Sequence, residues 1–105
     1  MPEHDFSALY AQYPAIIARM PETFTSHQFI LALAHQHQDL YVEALYSYRH
    51  HRLQDSRPAP FMLVHRVLSQ HLNAYPHLIE QVHQSVPSKD IFGQDELCAA
   101  WRKIG

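Results

Sequence analysis

The sequence predicts a mainly α-helical, compact single domain of about five short-to-medium helices, with at most a small β element near residues 82–93. Three observations carry this. Glycine is scarce: the 105 residues hold two, Gly93 and Gly105, against seven prolines, and a β-rich domain normally spends more glycine on its turns. Apolar residues recur at steps of three and four along most of the chain. Two helix starts are written into the sequence, at "FTSHQF" and at "RPAPF". The length fits one domain with one modest core. Apolar residues at 47% and charged residues at 17% are a globular balance, not a disordered one.

The first segment, "DFSALYAQYPAIIARMP", places Phe6, Leu9, Tyr10, Tyr13, Ile16, Ile17 and Met20 at helical spacing. Pro14 must start a second helical piece or kink the first, because it lacks an N–H and clashes with the preceding turn. Pro21 stops the helix. In the second segment Thr25 is the N-cap and Gln28, three residues on, completes a capping box. Phe24 and Phe29 stand at the two positions of a hydrophobic staple. The apolar face then runs through Phe29, Ile30, Leu33, Leu40, Tyr41, Ala44, Leu45 and Tyr48. One long helix to about His51 accounts for this, and so do two helices with a break near His37-Gln38. A broken segment is a helix-turn-helix in outline.

Asp55, Ser56, Pro58 and Pro60 mark a loop near 52–60, and Pro60 is placed to open the next helix. That helix carries Phe61, Val64, Leu68 and Leu72 as a stripe. Pro76 is read as opening another, with Leu78, Ile79, Val82 and Val86. A second loop is expected near 85–95, with Ile91 and Phe92 plugging the core. A last helix would put Leu97, Cys98, Trp101 and Ile104 on one side.

The composition excludes several functions. With so few glycines no phosphate-binding loop or dinucleotide fingerprint can be built. No apolar run approaches the roughly 20 residues of a membrane-spanning helix, and "MPEHDFSALY" lacks a signal peptide's basic start and apolar middle. With one cysteine, Cys98, there is no internal disulfide. A cytoplasmic protein is the expectation. The net charge of −2 exerts no general pull on nucleic acid. Protonating all ten histidines would take it to +8, so the surface potential is sensitive to pH near 6.5.

Histidines are where a metal would be sought, and "HQHQ" at 35–38 is the obvious place. On a helix His35 and His37 point about 200° apart, so they cannot chelate one ion. His50 and His51 are about 100° apart. No two histidines lie three or four residues apart, the spacing helical metal sites use. The recurrence of His65, His71, His77 and His83 turns about 600° per step and does not align. The cluster His77, Glu80, His83 drifts around its predicted helix. Cys98 reads as a small buried hydrophobe with no basic group beside it in sequence. No catalytic residue, metal ligand or cofactor is expected from local sequence. An enzymatic or metal site would have to be assembled in three dimensions.

Two surfaces remain. Val42, Tyr46 and Leu53 form a second apolar stripe, rotated from the core face, with Arg49 beside them. A helix apolar on two sides is deeply buried or meets a partner, and tyrosine with arginine is the composition of interface hot spots. The second surface is basic: Arg49, Arg52, Arg57 and Arg66 face one acid, Asp55, between residues 49 and 66, a disposition that can straddle phosphates.

The segments "FTSHQFI", "YVEALYSY", "PFMLVH", "DIFG" and "CAAWRK" occur in this order, over residues 24–103, in a group of small uncharacterised bacterial proteins that the chain resembles. That resemblance implies a winged-helix-type domain with "DIFG" near a wing, and brings no catalytic residue or ligand. The functional expectation is a non-enzymatic interaction module that self-associates, or binds another protein, through Val42, Tyr46, Arg49, Arg52 and Leu53. The alternative is DNA binding through Arg49, Arg52, Arg57 and Arg66.

Overall fold

The computed structural model describes residues 5–50 and 60–104. Two short helical pieces, α1 (Ser7–Tyr10) and α2 (Tyr13–Arg19), lead into a three-residue strand, β1 (Thr23–Thr25). Two helices follow end to end, α3 (Ser26–Gln36) and α4 (Gln38–Ser47). After them come α5 (Pro60–His71) with a 3-10 turn at Leu72–Ala74, and a long hairpin of β2 (Ile79–Lys89) and β3 (Asp95–Lys103). The sheet is antiparallel throughout, in the order β1-β3-β2.

This corrects the expected fold class. The protein is mixed α/β, with four helices of seven residues or more among the described residues, not mainly α with five. The stretch opened by Pro76 is a turn followed by β2, and the C-terminal stretch around Cys98 and Trp101 is β3. The loop expected near 85–95 shrinks to the turn Asp90–Gln94. Both misreadings have one cause. Ile79, Val82 and Val86, like Leu97, Trp101 and Ile104, are spaced three and four apart, which fits a helix. In β2 the extended backbone carries two irregularities, between Gln81 and His83 and between His83 and Val86, each with an extra residue on β2. Each bulge shifts the strand's side-chain alternation by one and hides its period of two.

The helix-boundary signals at Pro14, Thr25–Gln28 and Pro60 are present, whereas Pro76 opens a turn. Pro14 falls in the first turn of α2, and Pro60 opens α5. Gln28 N–H donates to Thr25 Oγ1 at 3.2 Å, and Thr25 N–H donates to Gln28 Oε1 at 2.9 Å. The rings of Phe24 and Phe29 meet at 6.2 Å. The second segment breaks at His37, whose φ of −132° and ψ of 58° are not helical. His37 N–H still closes α3 on Leu33 O, and its carbonyl opens α4 by accepting Tyr41 N–H.

One core joins both layers. Tyr13, Phe29, Ile30, Leu33, Val64, Leu68 and Leu72 are fully buried between the helices, and Phe24, Ile79 and Trp101 close it from the sheet. Tyr13 Oη–H donates to Leu68 O at 2.6 Å. Ser26, buried at the junction of β1 and α3, accepts the Trp101 Nε1–H at 3.0 Å and donates from Oγ to Ala99 O at 3.5 Å. Removing that hydroxyl leaves the indole N–H without a partner in a dry site. Ser26→Ala should therefore destabilise the protein by about 1–3 kcal/mol, measured by urea denaturation. An unchanged midpoint would show that the hydrogen bond contributes nothing net.

Candidate functional site

The hairpin and α5 diverge to leave a groove of about 630 Å³. On α5 the stripe of Val64 and Leu68, continued by Leu72 in the 3-10 turn, is buried, so the neighbouring stripe of Phe61, Met62 and His65 forms the groove's wall. The other wall is the hairpin with its turn. The Asp90 carboxylate accepts Phe92 N–H at 2.9 Å and Gln94 N–H at 3.0 Å, while Asp90 N–H donates to Gln94 O at 2.8 Å. Those backbone bonds, from Gln94 first, hold the Asp90 carboxyl below its usual range. Gly93 completes the turn at φ 79°, where a side chain would be strained. The turn thereby fixes the Phe92 ring edge-on to Phe61, centroids 4.8 Å apart.

Four of the large apolar side chains left open to solvent, Phe61, Met62, Phe92 and Leu97, line this one groove; Leu97 is 69% and Phe92 60% exposed. Scattered exposed hydrophobes are ordinary, but convergence in a concavity marks a binding surface.

Polar groups sit at its floor. His65 stacks on Tyr41, centroids 5.7 Å apart, and its Nε2 lies 2.5 Å from Tyr41 Oη. Burial, helped by the nearby His27 and opposed by Asp90, pushes His65 down to about 4. Burial pushes Tyr41 up to about 12, so both rings are neutral at pH 7. His27, Asp90 and Cys98 also line the groove. Among the described residues the Cys98 thiol has no hydrogen bond to either histidine, and the nucleophile–base contact of covalent catalysis is not assembled. No group of three His, Cys, Asp or Glu among the described residues is placed to hold a metal ion.

No family model, curated protein or solved structure matches this chain. Function therefore has to be argued from the site.

The residues singled out by sequence are dispersed. Val42 and Tyr46 lie one turn apart on α4, 58% and 61% exposed, and the Arg49 guanidinium sits 3.8 Å from the Tyr46 ring centroid while donating to Tyr46 O at 2.8 Å. Leu53, Arg52 and Arg57 lie outside the described residues. Arg66 is in the groove, whereas Arg49 is not. His35, on α3, is exposed, and His37 is the residue at the α3–α4 break. Glu80 pairs with Arg102 across the hairpin. Cys98, expected on the face of Trp101, lies on a strand at odd spacing from it and so on the opposite face. Among the described residues no helix is long and apolar enough to cross a membrane.

Sequence reasoning placed Phe61 in the core and missed the groove. The usable signal was the pair of apolar residues Ile91-Phe92 next to Gly93: a tight turn exposes at least one of them.

The His65 environment has a pH consequence. Its folded value lies below the ordinary 6.5, so its contribution to stability is complete above that pH and is lost as pH falls towards about 4, where the unfolded chain binds the proton first. His71, also lowered by burial, acts in the same direction. With allowance for partial solvation, the loss from His65 is roughly 2 kcal/mol. Urea unfolding at pH near 7 and near 4.5 should show wild type losing more stability than His65→Gln by that margin. Equal losses in the two proteins would remove His65 as the cause.

Proposed function

We propose that the protein is a non-enzymatic interaction module whose groove between α5 and the β2–β3 hairpin takes an apolar segment of another protein. The observation that carries this is the convergence of Phe61, Met62, Phe92 and Leu97 on one concave surface. Those side chains are held open at the cost of apolar exposure, and a partner segment would bury them. The Phe61–Phe92 pair is the anchor. Aromatic side chains in a desolvated pocket carry a disproportionate share of binding free energy.

A random dodecapeptide display library panned against the protein should enrich sequences that bind wild type and lose about tenfold in affinity, near 1.4 kcal/mol, with Phe92→Ser. Thermal melting of the variant would verify that it remains folded, since Phe92 lies outside the core. Enriched peptides that bind Phe92→Ser and Phe61→Ser as well as wild type would overturn the assignment of this groove.

A second reading is self-association through α4, favoured by the exposed Val42–Tyr46 pair and the Arg49 side chain stacked on Tyr46. Light scattering at micromolar concentration should then show a dimer that Tyr46→Glu converts to monomer. A wild-type monomer throughout that range excludes this reading.

A further inference from the structure

From the backbone pattern of β3 we infer that the groove binds its partner as an extended strand, added antiparallel to β3 along Asp95–Cys98, with a basic side chain set against Glu96. This rests on the reading of the groove as a protein-binding surface and specifies the chemistry of its occupant. β3 is the central strand of the sheet and has nine residues, but β1 pairs only with Ala100, Trp101 and Arg102. The remaining stretch borders the groove, which Glu96, Leu97, Cys98 and Ala99 all line.

The direction of its polar groups follows from hydrogen bonds on either side of β1. Lys103 N–H donates to Glu22 O at 2.8 Å, and Ala99 O receives the Ser26 hydroxyl. Odd-numbered residues of β3 thus aim N–H and C=O at the β1 side, and the extra residues at both bulges lie on β2, so β3 keeps that parity to its start. Leu97 therefore presents both its N–H and its C=O outward, where the β1 pairing, which stops at Ala100, does not reach them. Opposite Leu97 on β2 stands Pro87, which needs no ladder bond there. An antiparallel strand in line with β1 would exchange both bonds with Leu97.

Register sets the side chains. The incoming residue paired with Leu97 shares its face and should be apolar, as should the residue two after it; the place opposite Ala99, two before it, is held by Ser26. The next residue towards the incoming C-terminus pairs with Glu96. That carboxylate is exposed and has no cation beside it among the described residues, in contrast to Asp95, which Lys89 holds at 3.1 Å. A lysine or arginine at that position forms an opposite-charge cross-strand pair. Phe61 and Met62 on α5 form the far wall.

The probe is the heptapeptide acetyl-Gly-Ser-Thr-Val-Lys-Val-Thr-amide, whose fourth residue would pair with Leu97 and whose first two residues, level with Thr25 and Ser26, lie outside the added strand. Amide exchange followed by NMR should show a fast-exchanging Leu97 N–H in the free protein that slows about tenfold or more at saturating peptide. N-methylating the fourth residue should weaken binding about tenfold, and N-methylating the fifth, whose N–H points away, should leave it nearly unchanged. Glu96→Lys should reduce affinity for the lysine peptide and restore it for the same peptide with glutamate at the fifth position. If display-selected peptides bind through Phe92 but Leu97 stays unprotected and methylation position is immaterial, strand addition is wrong and the groove reading survives. If neither those peptides nor the heptapeptide binds, both fall. Protection of Leu97 that grows with protein concentration, without peptide, would overturn the inference in favour of pairing between copies.

Discussion

The structure turns on one residue, Ser26, where a strand stops and a helix begins. Thr25 closes the capping box with Gln28, and this commits the chain to a helical φ/ψ at the next position. β1 therefore cannot continue past Thr25. Ser26 recovers what the truncated strand gives up. Its hydroxyl satisfies Ala99 O, the β3 carbonyl a further β1 residue would have met, and receives the Trp101 indole N–H. One side chain thus joins the first turn of α3 to the central strand of the sheet. The helical layer and the hairpin meet in a single core because Phe24 and Phe29, on either side of this junction, pack against each other and both are buried.

The same junction creates the open edge. β3 is three times as long as β1, and once the chain becomes helical at Ser26 no further strand pairs with its first half on that side, although Thr25 and His27 reach Ser88 of β2 with their side chains. Natural proteins guard exposed strand edges, because unpaired backbone groups recruit other chains. The other side of the hairpin is guarded: Pro87 places no N–H on the outer edge of β2, and Lys89 stands near its end. Leu97 has neither protection. A guarded edge and an unguarded one on the same hairpin are difficult to reconcile with simple tolerance of exposure, and the unguarded one lies where α5 and Phe92 supply apolar walls.

The local signals were legible and the long-range ones were not. A capping box, a staple and a proline at a helix start involve residues within five positions of each other, so Thr25, Gln28, Phe24, Phe29 and Pro60 were readable directly. The hairpin depends on pairings between residues such as Ile79 and Lys103, and its two bulges remove the alternation that would have announced β2. The glycine argument failed for an instructive reason. A single hairpin needs one positive-φ residue, and Gly93 supplies it, so scarcity of glycine does not exclude a sheet of three strands. The α4 face was legible to the extent that Val42 and Tyr46 are exposed as their rotation from the core stripe implies. The groove was not, because it forms only when α5 and a hairpin that the periodicity did not show come together.

Histidine abundance takes on a different meaning in this light. "HQHQ" is the site of a helix break, and its rings do not converge. The histidines with a specific environment are His65 and His71, each packed on tyrosine: His65 on Tyr41, and His71 on Tyr10 at 3.5 Å with Nε2 3.2 Å from Tyr75 Oη. Burial holds both neutral, so they serve as flat, hydrogen-bonding packing residues and contribute no charge at pH 7. His65 does so directly beneath the groove. Its neutrality keeps the floor beside Phe61 free of a buried cation, and leaves Arg66 of α5 and the hairpin carboxylates Asp90 and Glu96 as the charges an incoming segment would meet.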